Sequence, residues 1–169
     1  GKLDLSGTGT INCNNELWIG VGTGSTGTMN ISGGQINVTN WLAVGRSGGT
    51  GTLNMSGGTY NKTAANADNA SIIGASGPGT FNQNNGAFNV ASGPTWLGEA
   101  NIGIWNNSGG TANLQDMQLG RGDGSSGTLN LQGNTGVTGT LTNGGGTGVI
   151  SAGIVTMGGG NGGTGTSTI

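Results

Sequence analysis

The stretch Gly51-Thr52-Leu53-Asn54-Met55-Ser56-Gly57-Gly58 decides the fold because it recurs. Gly27-Thr28-Met29-Asn30-Ile31-Ser32-Gly33-Gly34 precedes it. Gly79-Thr80-Phe81-Asn82, Gly103-Ile104-Trp105-Asn106 and Gly127-Thr128-Leu129-Asn130-Leu131 follow. The leading glycines stand at 27, 51, 79, 103 and 127, in steps of 24, 28, 24 and 24 residues. A fixed period of this length marks a repeat architecture, in which one unit buries its apolar face only against its neighbours.

Within the quoted stretch, Thr52, Asn54 and Ser56 alternate with Leu53 and Met55. Successive side chains of a strand point to opposite faces, so this alternation predicts a half-buried strand. Gln35-Ile36-Asn37-Val38 begins a second strand position, echoed by Thr59-Tyr60-Asn61-Lys62, Ala87-Phe88-Asn89-Val90 and Thr111-Ala112-Asn113-Leu114. The third is Leu42-Ala43-Val44-Gly45, echoed by Leu17-Trp18-Ile19-Gly20, Ser71-Ile72-Ile73-Gly74, Thr95-Trp96-Leu97-Gly98 and Met117-Gln118-Leu119-Gly120. Glycine pairs and Gly-Ser supply turn chemistry between them. Three short strands per 24 residues predict one rung of an all-β parallel solenoid, with rungs about 4.8 Å apart. Six to seven rungs then fit in one domain over 1–169, regular from 3 to 131 and looser from 132 to 169.

The alternation gives the inward list. Leu3, Leu5, Met29, Ile31, Leu53, Met55, Phe81, Trp105, Leu129 and Leu131 come from the first strand position. The second supplies Ile11, Cys13, Ile36, Val38, Tyr60, Phe88, Val90 and Leu114, and the third Leu17, Ile19, Leu42, Val44, Ile73, Leu97, Met117 and Leu119. Outward lie two asparagine columns: Asn30, Asn54, Asn82, Asn106, Asn130, and Asn12, Asn37, Asn61, Asn89, Asn113. A threonine column of Thr28, Thr52, Thr80 and Thr128 runs beside the first, broken by Ile104. Stacked in register, identical amides can hydrogen-bond from rung to rung. The 28-residue repeat places an insertion at residues 63–69, and 140–142, 154–158 and 165–169 read as further strands.

Composition restricts the function classes. Glycine provides 42 of 169 residues, against a usual share of about 7%. With 4 basic and 6 acidic residues the net charge is −2, which argues against nucleic acid or an anionic membrane as partner. No apolar run approaches the roughly 18 residues of a membrane helix, so no membrane insertion is expected. The single cysteine excludes an internal disulfide, and no metal-ligand spacing exists, so neither cofactor nor metal is expected. A start at Gly1, with no signal peptide, suggests a processed product or a piece of something longer.

The phrase Leu42-Ala43-Val44-Gly45-Arg46-Ser47-Gly48-Gly49-Thr50-Gly51-Thr52-Leu53-Asn54-Met55-Ser56-Gly57-Gly58 resembles the β-strand repeats of bacterial autotransporter passengers and related large surface proteins. The resemblance covers about 3–131. It implies a right-handed parallel β-helix, export, and an extracellular scaffold, stalk or adhesive role. The membrane barrel that such proteins often carry has no counterpart in this sequence.

Motifs that could carry chemistry are few. The acids Asp4, Glu16, Asp68, Glu99, Asp116 and Asp123 form no pair at equivalent positions, and histidine is absent, so acid–base catalysis is not expected. Gly22-x-Gly24-x-x-Gly27 matches a dinucleotide fingerprint only formally, because a strand and not a helix follows. Asp68 with Asn66 and Asn69 offers one carboxylate for calcium and reads as an insertion loop. Asn-x-Ser/Thr at Asn30, Asn37, Asn54 and Asn61 follows from the asparagine columns. Arg121-Gly122-Asp123 is a cell-attachment tripeptide in some extracellular proteins; here it reads first as a solvated turn. Trp18 and Trp96 face outward on the third strand, with Trp41 just before it. They form either a face for stacking on a sugar or partner, or a cover for the corners.

The sequence therefore points to a non-catalytic extracellular β-solenoid, a segment of a surface adhesin or stalk, or a subunit stacking end to end into a fibre through open rungs. A carbohydrate- or ice-binding face, meeting a polysaccharide or a host or cell surface, is the alternative.

Overall fold

The computed structural model describes residues 1–63 and 69–132, and the backbone of 137–143 and 147–152. These contain fifteen strands: β1 (Lys2–Leu5), β2 (Thr10–Cys13), β3 (Leu17–Val21), β4 (Thr26–Ile31), β5 (Gln35–Val38), β6 (Leu42–Arg46), β7 (Thr50–Lys62), β8 (Ser71–Ile73), β9 (Gly79–Val90), β10 (Thr95–Leu97), β11 (Ile102–Asn107), β12 (Thr111–Leu119), β13 (Ser126–Leu131), β14 (Val137–Asn143) and β15 (Thr147–Ala152). Every pairing is parallel and joins one turn of chain to the next. The first face stacks β1, β4, β7, β9, β11, β13 and β15. The second stacks β2, β5, the later halves of β7 and β9, and the starts of β12 and β14. The third stacks β3, β6, β8, β10 and the ends of β12 and β14. The chain is a parallel β-solenoid with a repeat of about 24 residues, and its seven first-face strands roughly match the expected six to seven rungs.

The register is that of the repeated phrase. Leu53 pairs with Met29 on one side and Phe81 on the other, and Asn54 likewise sits between Asn30 and Asn82. The first glycine of the phrase is fixed by crowding. A β-carbon on Gly51 would lie on the backbone of Ile19 and Gly45, and one on Gly79 on that of Val44 and Gly74. The same holds at Gly27, Gly103 and Gly127. There the end of a third-face strand and the start of a first-face strand share one corner. Gly57-Gly58 turns the expected corner within one long strand: β7 pairs with first-face β4 up to Met55 and with second-face β5 from Thr59, its register shifts in between, and Gly58 takes φ 72°.

The core follows the inward columns with informative departures. Leu5, Met29, Ile31, Leu53, Met55, Phe81, Trp105 and Leu129 are buried on the first face. Leu3 is on the inward column but 45% exposed, because β1 is the edge of the described stack and nothing covers it from the far side. Ile11, Cys13, Leu17, Leu114 and Leu131 are half-buried against the same core, and burial raises the Cys13 thiol above its ordinary range. The middle turns hold an aromatic cluster. Tyr60 stacks on Phe88 at 4.5 Å, Phe81 lies 5.0 Å from Phe88, and Trp105 lies 4.8 Å from Phe81. Volume is balanced within a turn: where the first face brings Trp105, the second brings Ala112.

Among the described residues six polar side chains are buried that the inward list did not name, and Lys62, Gln83 and Asn107 are the largest of them beside Ser71, Thr95 and Ser125. Gln83 and Asn107 occupy the column of Ile31, Met55 and Leu131, and Asn107 Nδ2 donates to Gln83 Oε1 at 3.0 Å. Gln83 Nε2 in turn donates to the Thr111 carbonyl at 2.9 Å, so the pair ties the first face to the second. Lys62 takes the position between Val38 and Val90, is 1% exposed, and its Nζ has no hydrogen-bond partner. A charge there is costly, and burial accordingly pushes the Lys62 ammonium below its ordinary value of 10.5. The strands expected at 154–158 and 165–169 lie outside the described residues, as do residues 64–68 of the insertion. β15, which pairs with β13 from Thr147 to Ala152, was not anticipated.

Two substitutions separate crowding from conformation. Gly51→Ala meets backbone on both sides, and the expected loss is on the order of 3 kcal/mol or more. Gly24→Ala has φ +75° but open space around it, and about 1 kcal/mol is expected. Urea unfolding of both proteins checks the ranking. Lys62→Met should stabilise the protein by about 1–3 kcal/mol, since an unpaired amine leaves the core. Because the folded-state value lies below 10.5, the unfolded chain binds more protons between the two values, and wild-type stability should rise with pH there. That slope should vanish in the Met variant.

Candidate functional site

The outward side chains form two kinds of surface. The first is a set of amide ladders. Asn54 Nδ2 donates to Asn30 Oδ1, Asn82 to Asn54 and Asn106 to Asn82, each at 2.8 Å, and Asn130 donates to Asn106 at 2.7 Å. Asn30 itself donates to Asp4 Oδ1 at 2.6 Å. On the second face Asn37 donates to Asn12 at 2.8 Å, Asn61 to Asn37 at 3.1 Å, Asn89 to Asn61 at 3.0 Å and Asn113 to Asn89 at 2.9 Å. Rung spacing brings identical amides to hydrogen-bond distance with no adjustment of the backbone. Thr28, Thr52, Thr80 and Thr128 keep their column, half-buried, with Ile104 in register between Thr80 and Thr128.

A third ladder escaped sequence reading. Asn40 Nδ2 donates to Asn15 Oδ1 at 2.6 Å, Asn69 to Asn40 at 2.8 Å, and the indole of Trp41 to Asn69 Oδ1 at 2.8 Å. Each of these asparagines stands two residues before the third-face strand, in Asn15-Glu16-Leu17, Asn40-Trp41-Leu42 and Asn69-Ala70-Ser71. Anchoring the alignment on the third strand would have revealed them; the insertion displaces Asn69 from the simple period. Asn69 is thus a ladder residue, and Asn66 and Asp68 lie outside the described residues.

The second surface is a strip on the outside of the third face. Trp18, in register with Ala43, is 49% exposed. Its indole donates to Glu16 Oε2 at 2.6 Å, and the Arg46 guanidinium lies 4.4 Å over its ring and 5.9 Å from that of Trp41. Arg46 also meets Glu16 at 3.3 Å. Trp41 meets Trp96 edge-on at 6.4 Å across the intervening turn, and the two indoles cover a second apolar cluster of Ala43, Ala70, Ile72 and Ala75. Ile72 is fully buried although it points away from the main core, which alternation alone could not predict. At the far end Arg121 stacks 3.9 Å over Trp96 and pairs with Glu99 at 3.3 Å.

This geometry bears on the tripeptide Arg121-Gly122-Asp123. Arg121 and Arg46 each follow a left-handed corner glycine, Gly120 and Gly45, and each turns its guanidinium onto a tryptophan and a glutamate. Asp123 stays exposed, and the Gly122 amide donates to Ser125 Oγ at 3.2 Å. The arginine faces the strip and is shared with its own side chains. Likewise, Gly22-x-Gly24-x-x-Gly27 opens strand β4 and no helix.

The acids are dispersed. Asp4 meets Lys2 at 3.1 Å on the first face, Glu16 serves Arg46 and Trp18 on the third face of the same turn, and Glu99 serves Arg121 three turns further on. Among the described residues no three His, Cys, Asp or Glu side chains come together. The surfaces therefore offer neutral amides, hydroxyls and paired charges. No protein-family model, curated protein or solved structure matches the chain.

Asn82→Ala interrupts the first ladder at its middle and deprives Asn54 and Asn106 of a partner. A loss of about 1–2 kcal/mol is expected in denaturant unfolding. Asn82→Asp should cost more at neutral pH, because it sets a half-buried negative carboxylate oxygen against Asn54 Oδ1, two acceptors with no proton between them. A double-mutant cycle on Trp18 and Arg46 should give a coupling of about 0.5–1 kcal/mol.

Proposed function

We propose that this chain is a non-catalytic, extracellular structural module, a segment of a bacterial surface adhesin or stalk or a subunit that stacks end to end into a fibre. The observation that carries the reading is the parallel stack itself, which runs to β1, β2 and β3, each of them paired on one side among the described residues. Leu3 stands exposed there, beside a cleft of about 420 Å³ lined by Leu3, Leu17, Ile19 and Met29. Exposed strand edges template further pairing. A further turn, from the same polypeptide or another copy, would extend the sheet and cover this end of the core. The resemblance to autotransporter passenger repeats supports export and surface display. The dispersal of acids into separate ion pairs supports a role without catalysis.

Trp18 favours a second reading. It is the most open aromatic of the strip, with Glu16 and Arg46 beside it as hydrogen-bonding groups. That combination suits a polysaccharide. An ice-binding face on the threonine and asparagine columns is the weaker form of the same idea, since those columns are half-buried and their amides already bonded to one another.

Negative-stain electron microscopy over a concentration series separates the structural versions. Filaments of uniform width growing with concentration support stacking; discrete short rods at the highest concentration exclude the fibre and leave the stalk segment. A glycan array tests the second reading: binding that disappears with Trp18→Ala supports it, and an array without signal removes it.

A further inference from the structure

We infer that the polarity of the asparagine ladders is imposed by one-way partners at their ends, Asp4 for the first ladder and Trp41 for the third. A primary amide can present either its oxygen or its nitrogen to a neighbour, so a stack of asparagines alone is satisfied in both directions. An ionised carboxylate only accepts, and an indole N–H only donates. Asp4 Oδ1 lies 2.6 Å from Asn30, so Asn30 must turn its nitrogen toward β1 and its oxygen toward Asn54. Asn54 must then donate to Asn30, Asn82 to Asn54, and so on to Asn130. One carboxylate decides the orientation of five amides in successive turns.

The third ladder reaches the same sense by the opposite device. Trp41 donates to Asn69 Oδ1, which leaves the Asn69 nitrogen for Asn40 and the Asn40 nitrogen for Asn15. In both of these ladders, as in the second, the later turn donates to the earlier one. The aligned amide dipoles add along the axis, with their positive end toward β1. A carboxylate there is favourable for the reason that one is favourable at a helix N-terminus.

Protonating Asp4 removes the constraint, because a carboxylic acid can donate as well as accept. The charged neighbours of Asp4 are few. Lys2 on the same strand lies at 3.1 Å, and the Gly1 ammonium is bonded to the Thr26 carbonyl at 2.6 Å. β4, packed against β1, presents Thr28 and Asn30, neither of which titrates. The hydrogen bond from Asn30, then the one from Lys2, holds the Asp4 carboxyl below its ordinary value of 3.8. The polarity is therefore fixed at neutral pH and released only as pH falls through that lowered value.

Acid titration of the 15N-labelled full chain, following the side-chain amide resonances, tests this. Asn30 should shift most, and Asn54 and Asn82 should follow with the same midpoint and falling amplitude. In Asp4→Asn the common titration should be lost. A response confined to Asn30, equal movement of Asn37 and Asn61 in the second ladder, or persistence in Asp4→Asn would overturn the inference.

Discussion

Where the third face of one turn meets the first face of the next, two stretches of backbone approach too closely for any β-carbon. Gly20, Gly45, Gly74, Gly98 and Gly120 end the third-face strands with left-handed φ between 57° and 79°, and Gly27, Gly51, Gly79, Gly103 and Gly127 lie against them. This corner fixes the radius of the coil. A narrow coil has room for one layer of inward side chains per face, so the core must be filled turn by turn. The pairing of Trp105 with Ala112 in one turn shows that filling at work. Of the 42 glycines, which in isolation suggest a low-complexity chain, ten are set at these tight corners.

The ladders and the strip depend on the same regularity from the outside. Hydrogen-bonded strands space the turns by about 4.8 Å, and an amide is long enough to bridge that distance. The bonds between neighbouring asparagines are individually modest, but they recur and need no ion pair. The chain can therefore hold a long surface in register with little charge. The tryptophans answer a different problem. Ile72 and the alanines beside it leave an apolar area outside the coil, and Trp41 and Trp96 close it, with the arginines stacked on top.

What the sequence made legible and what it did not divide along a physical line. Strand faces, parallel stacking and both long asparagine columns follow from alternation and period, because a solenoid translates sequence period directly into spatial neighbourhood. The buried Gln83, Asn107 and Lys62 were missed because alternation assigns a face, while polarity argues the other way; only the register against Met55 and Val38 reveals them. The third ladder was hidden by a shift in period. The cation–π contacts and the bridge from Trp41 to Trp96 depend on long side chains reaching across turns, which no strand pattern encodes.

The insertion in the third turn carries a consequence for shape. Residues 63–70 separate β7 from β8, where residues 39–41 separate β5 from β6, yet β8 rejoins β6 in register at Leu42 and Ser71. Axial length is counted in turns and is indifferent to the residues spent between faces. Chain added at this corner leaves the register of the neighbouring turns, and with it the distance between the ends of the stack, untouched. The solenoid can thus gain or lose residues at a corner independently of its reach.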